Sequence, residues 1–166
     1  MKTWRERLAW LLATCGGFGY SPIMPGTAGA IWGVAIYVPI ALFAPEPLQT
    51  ALIVLALLAS CIVTVALAPW AEQHFGAKDS KHFVTDEVAG LLLTVLLFRV
   101  PGQVLLTSLW TFAFSRLCDI VKIPPSRSLE HLPRGWGVLA DDLMASIYAA
   151  GYLHALYYFF PHWFGG

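Results

Sequence analysis

Ala51-Leu-Ile-Val-Leu-Ala-Leu-Leu-Ala-Ser-Cys-Ile-Val-Thr-Val-Ala-Leu-Ala-Pro-Trp-Ala71 runs for 21 residues without a charge. Wound as a helix it would be about 32 Å long, against a hydrocarbon core of about 30 Å. In lipid the backbone has no water to bond, so a stretch of this kind reads as a membrane-crossing helix. On its N-terminal side Pro45-Glu46-Pro47 makes a tight connection to a second apolar stretch, Ala28 to Ala44. Gly29 and Gly33 in that stretch permit close helix packing, and the two spans read as antiparallel neighbours.

On the C-terminal side the pattern is less regular. The apolar run Val88–Phe98 has 11 residues, about 17 Å of helix, which is too short to cross. Extended to Val84–Val100 it reaches about 26 Å, enough if Asp86 and Glu87 lie within a turn of the interface. A fourth span begins at Val104 and must run through Arg116 and Asp119 to be long enough. A polar loop rich in Pro, Arg and Gly follows, from Ile123 to Gly137. The fifth span starts near Asp141-Asp142, runs through Leu143–Phe160, and ends in a belt of Tyr157, Tyr158, Phe159, Phe160 and Trp163. Ahead of the first span, Lys2, Arg5 and Arg7 precede a short apolar stretch, Leu8–Thr14, that runs into glycines rather than a cleavage site. It reads as an amphipathic helix on the membrane surface. The expected fold is therefore all-α: a polytopic membrane helical bundle of about five transmembrane helices plus an N-terminal amphipathic helix, forming one domain over residues 1–166.

Composition agrees with this. Hydrophobic residues make up 58% of the chain and charged residues 12%, about half the usual charged fraction, with a mean hydropathy of +0.67. Net charge is zero, so no basic field argues for nucleic acid, and no obligate protein partner is expected. Cys15, Cys61 and Cys118 are odd in number and share no metal-ligand spacing, so they read as small packing residues. Nine of the ten Lys and Arg residues, all but Arg99, fall on one side of the expected spans. The positive-inside rule makes that side cytoplasmic.

Where charges are this scarce, their placement carries information. Asp86, Glu87, Asp119, Asp141 and Asp142 all fall at span ends on the same side. Solitary carboxylates in hydrocarbon cost about 2.5–3.5 kcal/mol each on insertion scales, so partners or a cation are expected. With no His or Cys interleaved, the ligand set is all oxygen and favours a hard cation such as Mg²⁺. Helix capping accounts for Asp86 or Asp141 taken singly. It does not account for Asp119, which closes a helix where the dipole disfavours an anion. Arg116, Asp119 and Lys122, spaced i, i+3, i+6, share one face there, with a plain Arg116–Asp119 surface pair as the alternative reading of that spacing. Adjacent carboxylates point about 100° apart on a helix, so one of each pair faces a given metal. The loop Gly16-Gly-Phe-Gly-Tyr-Ser-Pro-Ile-Met-Pro-Gly-Thr27 leads directly into the first span. Gly26 and Thr27 offer backbone N–H groups and a hydroxyl at a helix N-terminus, which suits an oxyanion and equally suits a cap.

Taken in order, Ser21-Pro-Ile-Met-Pro-Gly-Thr27, Asp86-Glu87, Arg116-Leu-Cys-Asp119 with Lys122 and Pro125, and Gly135-Trp-Gly-Val-Leu-Ala-Asp-Asp142 resemble the phosphatidylglycerophosphatase A family. That family comprises the bacterial Mg²⁺-dependent lipid phosphatases of phosphatidylglycerol synthesis, and the resemblance extends from about Gly16 to Ala150. The chain departs from the family pattern at Lys122-Ile-Pro-Pro125, where Lys-Pro-x-Pro is usual, and at Arg134-Gly-Trp-Gly137, where Gly-Gly-x-Gly is usual.

The resemblance implies removal of the phosphate monoester from phosphatidylglycerophosphate, at the cytoplasmic face of a bacterial inner membrane, with Mg²⁺ as cofactor and a membrane phospholipid as substrate. Asp86, Glu87, Asp119, Asp141 and Asp142 would be metal ligands, with Asp86, Glu87, Asp119 and Asp142 also serving in catalysis. Ser21, Gly26, Thr27, Arg116 and Lys122 would bind the substrate. Attack on phosphorus by a carboxylate and attack by water both remain open on these residues. The rival class is a membrane cation-binding or transport protein. It would place acids near the bilayer midplane and show pseudo-repeated halves, whereas here the acids sit at span ends and no repeat is visible.

Overall fold

A computed structural model describes residues 3–77, 80–124, 126–129, 132–133 and 135–165, without the side chains of Arg127 and Ser128. The basic residues Lys2, Lys78 and Arg134, the Arg127 side chain, Pro125 and the departure at Arg134 thus lie outside the described residues. The chain folds into α1 (Trp4–Ala13), a 3₁₀ turn (Phe18–Tyr20), α2 (Pro25–Phe43), α3 (Glu46–Phe75), α4 (Thr85–Leu97), α5 (Val104–Val121), the single turn α6 (Ser126–Leu129), α7 (Trp136–Phe159) and a closing 3₁₀ turn (Pro161–Phe164). Among the described residues there is no strand.

Among the described residues three helices are long and apolar enough to cross a membrane: α2 with 19 residues, α3 with 30 and α5 with 18. Their outward faces carry exposed Ile31, Leu55, Leu58, Ile62, Leu105 and Leu109, which in water would be an aggregation hazard and in lipid is the expected surface. This is a membrane protein. At about 1.5 Å per residue α3 is roughly 45 Å long, some 15 Å more than a hydrocarbon core. Near its C-terminal end Ala68 and Ala71 pack with Ala13 of α1 and with Phe83. α1 is N-capped by Thr3, whose hydroxyl accepts from Glu6 N at 3.3 Å, and leaves Trp4, Leu8, Leu11 and Leu12 exposed.

α4 is shorter than the 84–100 stretch expected to span. Its 13 residues cover about 20 Å. It packs against α2, α3, α5 and α7 at once, with Val88, Ala89, Leu91, Leu92 and Val95 buried. A helix wrapped by four others meets protein rather than lipid, so hydrocarbon thickness does not set its length. Close packing comes from small residues, as in the α2–α4 contact. A Cβ on Gly29 would lie 2.6 Å from Val84 Cβ, and one on Gly33 would lie 2.6 Å from a Leu91 methyl. Across the α4–α7 seam Ser146 Oγ donates at 2.7 Å toward Gly90 O and Asp142 O.

α7 has 24 residues and begins at Trp136, five residues ahead of the expected start at Asp141. Gly135 explains the early start. A Cβ there would sit 2.5 Å from Ala68 Cβ and 3.1 Å from Val65 Cα, so only glycine lets α7 begin directly against α3. The starts of α2, α4 and α7 and the end of α5 gather at one end of the bundle. The opposite end is closed by Tyr37, Ile53 and Val95, and by Phe98, Leu153 and Phe164. There Arg99 Nη2 donates to Thr50 Oγ1 at 2.8 Å and ties the α4–α5 turn to α3.

Candidate active site

Asp86 and Glu87 occupy the first turn of α4, whose N-cap, Val84, has no side-chain oxygen to offer. Arg116 and Asp119 are in the last turns of α5, which Lys122 terminates in the left-handed region at φ 49°. Asp141 and Asp142 are in the second turn of α7, beyond the reach of a helix cap. Met24, φ 50°, turns the chain into α2 and leaves the N–H groups of Gly26 and Thr27 at that helix's start. A left-handed conformation is uncommon outside glycine and clusters at functional sites. Among the described residues Cys15, Met24 and Lys122 adopt it, and the last two flank the acidic cluster.

These elements enclose a cavity of about 390 Å³. Asp86, Glu87, Asp119, Asp141 and Asp142 line it, together with Gly26, Lys81 and Lys122. Arg116, 6% exposed, stands behind them. Its Nη1 pairs with Glu87 Oε2 and with Asp119 Oδ2, the latter at 3.3 Å, so one guanidinium joins α4 to α5. Lys122 Nζ lies 3.1 Å from Asp141 Oδ2 and joins α5 to α7. Carboxylate oxygens of Glu87, Asp119 and Asp142 lie within 4.8 Å of one another. Each adjacent acidic pair thus gives one member, Glu87 or Asp142, to this trio.

The trio is chemically suited to a hard divalent cation. Its donors are all oxygen, and buried Asp142 Oδ2 accepts no hydrogen bond among the described residues. Five carboxylates face the cations of Lys81, Lys122 and Arg116, and a dianionic phosphate would deepen that negative excess. Additional positive charge is what the arrangement lacks. Two helix starts, those of α2 and α4, aim partial positive charge into the cavity, whereas the end of α5 opposes Asp119 and is offset by Arg116.

Most of the residues singled out from the sequence meet here, with two exceptions. Ser21 Oγ donates to Ile23 O at 3.0 Å and stabilises its own turn away from the cavity. Thr27 is in the first turn of α2 but does not line the cavity. Arg116 and Lys122, read as phosphate ligands, are engaged with carboxylates. Lys81 and Ser80 line the cavity and were not singled out. The available signal was Lys81's position in the connection to α4, five residues before Asp86. Cys15, whose thiol lies 3.8 Å from Val84 O, is no nucleophile. Burial, with Asp86 and then Glu87 adding to it, pushes its thiol up to about 12, so it stays protonated.

The fold and site define a class: a helical membrane protein with a carboxylate-centred polar cavity at one end of its bundle. The sequence profile of the phosphatidylglycerophosphatase A family matches residues 11–157. Phosphatidylglycerophosphatase A of Escherichia coli (strain K12) is 30% identical over 159 residues, covering 92% of this chain and 84% of the relative. That of Haemophilus influenzae is 30% identical over 149 residues, covering 89% and 88%. A Bacteroides thetaiotaomicron protein provisionally named phosphatidylinositol-3-phosphatase is 31% identical over 142 residues, covering 84% and 87%. No solved structure gives a significant match. This chain belongs to the phosphatidylglycerophosphatase A family and is a phosphatase, a hydrolase of phosphoric monoesters.

Proposed function

We propose that the protein hydrolyses the terminal phosphate monoester of phosphatidylglycerophosphate to phosphatidylglycerol and inorganic phosphate, with a divalent cation, Mg²⁺, as cofactor. The gathering of Glu87, Asp119 and Asp142 around Arg116 carries this reading, since it supplies an all-oxygen cation site inside a cavity bordered by lysines. When bound there, the cation would activate water and offset the charge developing on the phosphoryl oxygens. The chain's own groups do the rest. The α2 N-terminus at Gly26 orients phosphate oxygens, and Lys81 and Lys122 neutralise them. Hydrolysis forms a bond from water oxygen to phosphorus, breaks the ester P–O bond and returns a proton to the glycerol oxygen. Asp86, which lines the cavity beside the trio, is positioned to take the proton from water.

The same reading places α2, α3, α4, α5 and α7 as five crossings of a bacterial inner membrane, α1 at the interface, and the cavity on the cytoplasmic side. The side bearing nine of the ten basic residues supports it. So does the excess length of α3, which lets the cavity sit at the headgroup level instead of the midplane.

Phosphate release from phosphatidylglycerophosphate by purified protein in detergent is the direct test. Turnover is expected with Mg²⁺ and is expected to vanish in EDTA. Full-rate release in EDTA would remove the cation from the mechanism. Phosphatidylinositol 3-phosphate belongs in the same assay because of the Bacteroides relative's name. A preference for it would move the substrate assignment to the phosphoinositide.

A further inference from the structure

We infer that the seam between α2 and α5 is the track along which the lipid substrate lies, with its acyl chains in the groove lined by Ile31, Val34, Ser108, Leu109 and Phe112. This rests on the proposed reaction. The groove is apolar, about 330 Å³, and opens on the lipid-facing surface. Ile31 is 47% exposed and Leu109 60%. Its two walls are continuous with the site. On α2, Thr27, Ile31 and Val34 are spaced i, i+4, i+7 and form one stripe that begins beside Gly26. On α5, Arg116, Phe112 and Leu109 are spaced i, i−4, i−7 and form the matching stripe, headed by the guanidinium that holds Glu87 and Asp119. Between Gly26 and Ile31 on α2, and between Asp119 and Phe112 on α5, lie the small buried side chains Ala30 and Ser115.

The lengths agree with a two-phosphate lipid. From the terminal phosphorus to the acyl-bearing glycerol is about nine bonds, roughly 10 Å when extended at about 3.5 Å per three bonds. From Gly26 to Ile31 and Val34 the helix rises about 8–12 Å, and from Asp119 to Phe112 and Leu109 about 10–15 Å. A lipid with its monoester in the cavity therefore carries its first acyl carbons to the groove. Its bridging phosphodiester, six bonds or about 7 Å from the terminal phosphorus, then lies four to five residues along each helix, at the level of Ala30 and Ser115. Arg116, one residue from that level on α5, has a buried Nε that donates to nothing among the described residues, so it has a donor to give the diester. The larger apolar cavity behind α4, lined by Leu12, Trp32 and Thr85, is on the opposite face of that helix from Asp86 and Glu87 and is not reached from the site.

Two measurements on the full chain in detergent–lipid micelles test this. Val34→Trp and Leu109→Trp fill the groove; each should lower kcat/KM for dioleoyl phosphatidylglycerophosphate at least tenfold while changing that for its deacylated headgroup less than twofold. Leu55→Trp, on the exposed face of α3, is the control and should change neither. No loss on the diacyl substrate, or an equal loss on both substrates, overturns the track. Separately, phosphatidylglycerophosphate with a diazirine near the acyl carbonyl should label Ile31, Val34, Leu109 or Phe112. Unlabelled substrate should compete with that labelling and phosphatidylcholine should not. Labelling that is uncompeted, or equal at Leu55, is ordinary annular lipid and overturns the proposal. A wild-type protein inert toward both substrates defeats the proposed reaction instead, and the labelling arm still decides the groove.

Discussion

Arg116 organises the acidic cluster, and its part in it illustrates what a linear sequence can and cannot reveal. The spacing of Arg116 and Asp119 made their pairing legible, and it is present at 3.3 Å. The second partner, Glu87, comes from another helix, and no local spacing encodes a contact across 29 positions. Likewise the five carboxylates stood out because charge is rare in this chain, but which of them converge depends on helix rotation. The trio is Glu87, Asp119 and Asp142, while Asp141 turns to Lys122. Asp119→Asn, Asp142→Asn and Glu87→Gln should each insert and fold normally and lose at least about 10²-fold in turnover, the usual scale for a metal ligand or its support. Asp86→Asn should also lose activity, whereas Asp141→Asn should lose less, because its pair is with a lysine at the cavity rim. Near wild-type turnover in the trio variants would reduce these acids to structural groups. Arg116→Ala is different in kind: it strands buried carboxylates, at a cost of about 3–5 kcal/mol, and should show as loss of thermal stability in detergent as well as of activity.

At the scale of elements, the apolar stretches of α2, α3 and α5 were plain from composition, because lipid selects for length and hydrophobicity together. α4 was not, since its length is set by the four helices around it. The start of α7 was misplaced by five residues because the acidic pair resembles a helix start, whereas the true start is set by Gly135 against α3. Two glycines now make a contrasting pair. A Cβ on Gly26 would meet the carboxylate end of Glu87, a mobile group that can swing aside. Gly26→Ala should therefore leave stability nearly unchanged and cut turnover roughly 10–100-fold by displacing the Glu87 carboxylate from the trio. A Cβ on Gly135 would meet Ala68 Cβ and the α3 backbone, which cannot move aside. Gly135→Ala should destabilise the bundle by about 1–3 kcal/mol, the cost of overpacking. Thermal unfolding and turnover measured side by side separate the two. Equal loss of stability in both variants would mean that Gly26 is a packing glycine like Gly135.

For the whole molecule, motifs separated by more than 110 positions form one cavity because α2, α4 and α7 begin, and α5 ends, at the same end of the bundle. That convergence was legible in the sequence, because the acidic motifs fall at alternating ends of successive apolar stretches. A bundle alone does not say which side of a membrane that end faces, nor that α4, about 20 Å long, carries the chain across. On the proposed five-span reading the length of α4 is no obstacle: four helices surround it, and it needs only to bring Asp86 to one end and Arg99 to the other. Concentration of basic residues at the acidic end would also draw anionic lipid headgroups toward the cavity. Single cysteines in a Cys-free background, probed with impermeant thiol reagents in sealed vesicles, test the arrangement. Positions 24, 80 and 130 should label from the cytoplasmic side and position 46 from the other. If position 80 and position 130 label from opposite sides, α4 and α5 do not cross as a pair, and the cavity could not assemble from the α4, α5 and α7 ends. If all four label as expected but from the reversed face, the bundle stands and only its orientation inverts, placing phosphate release outside the cell.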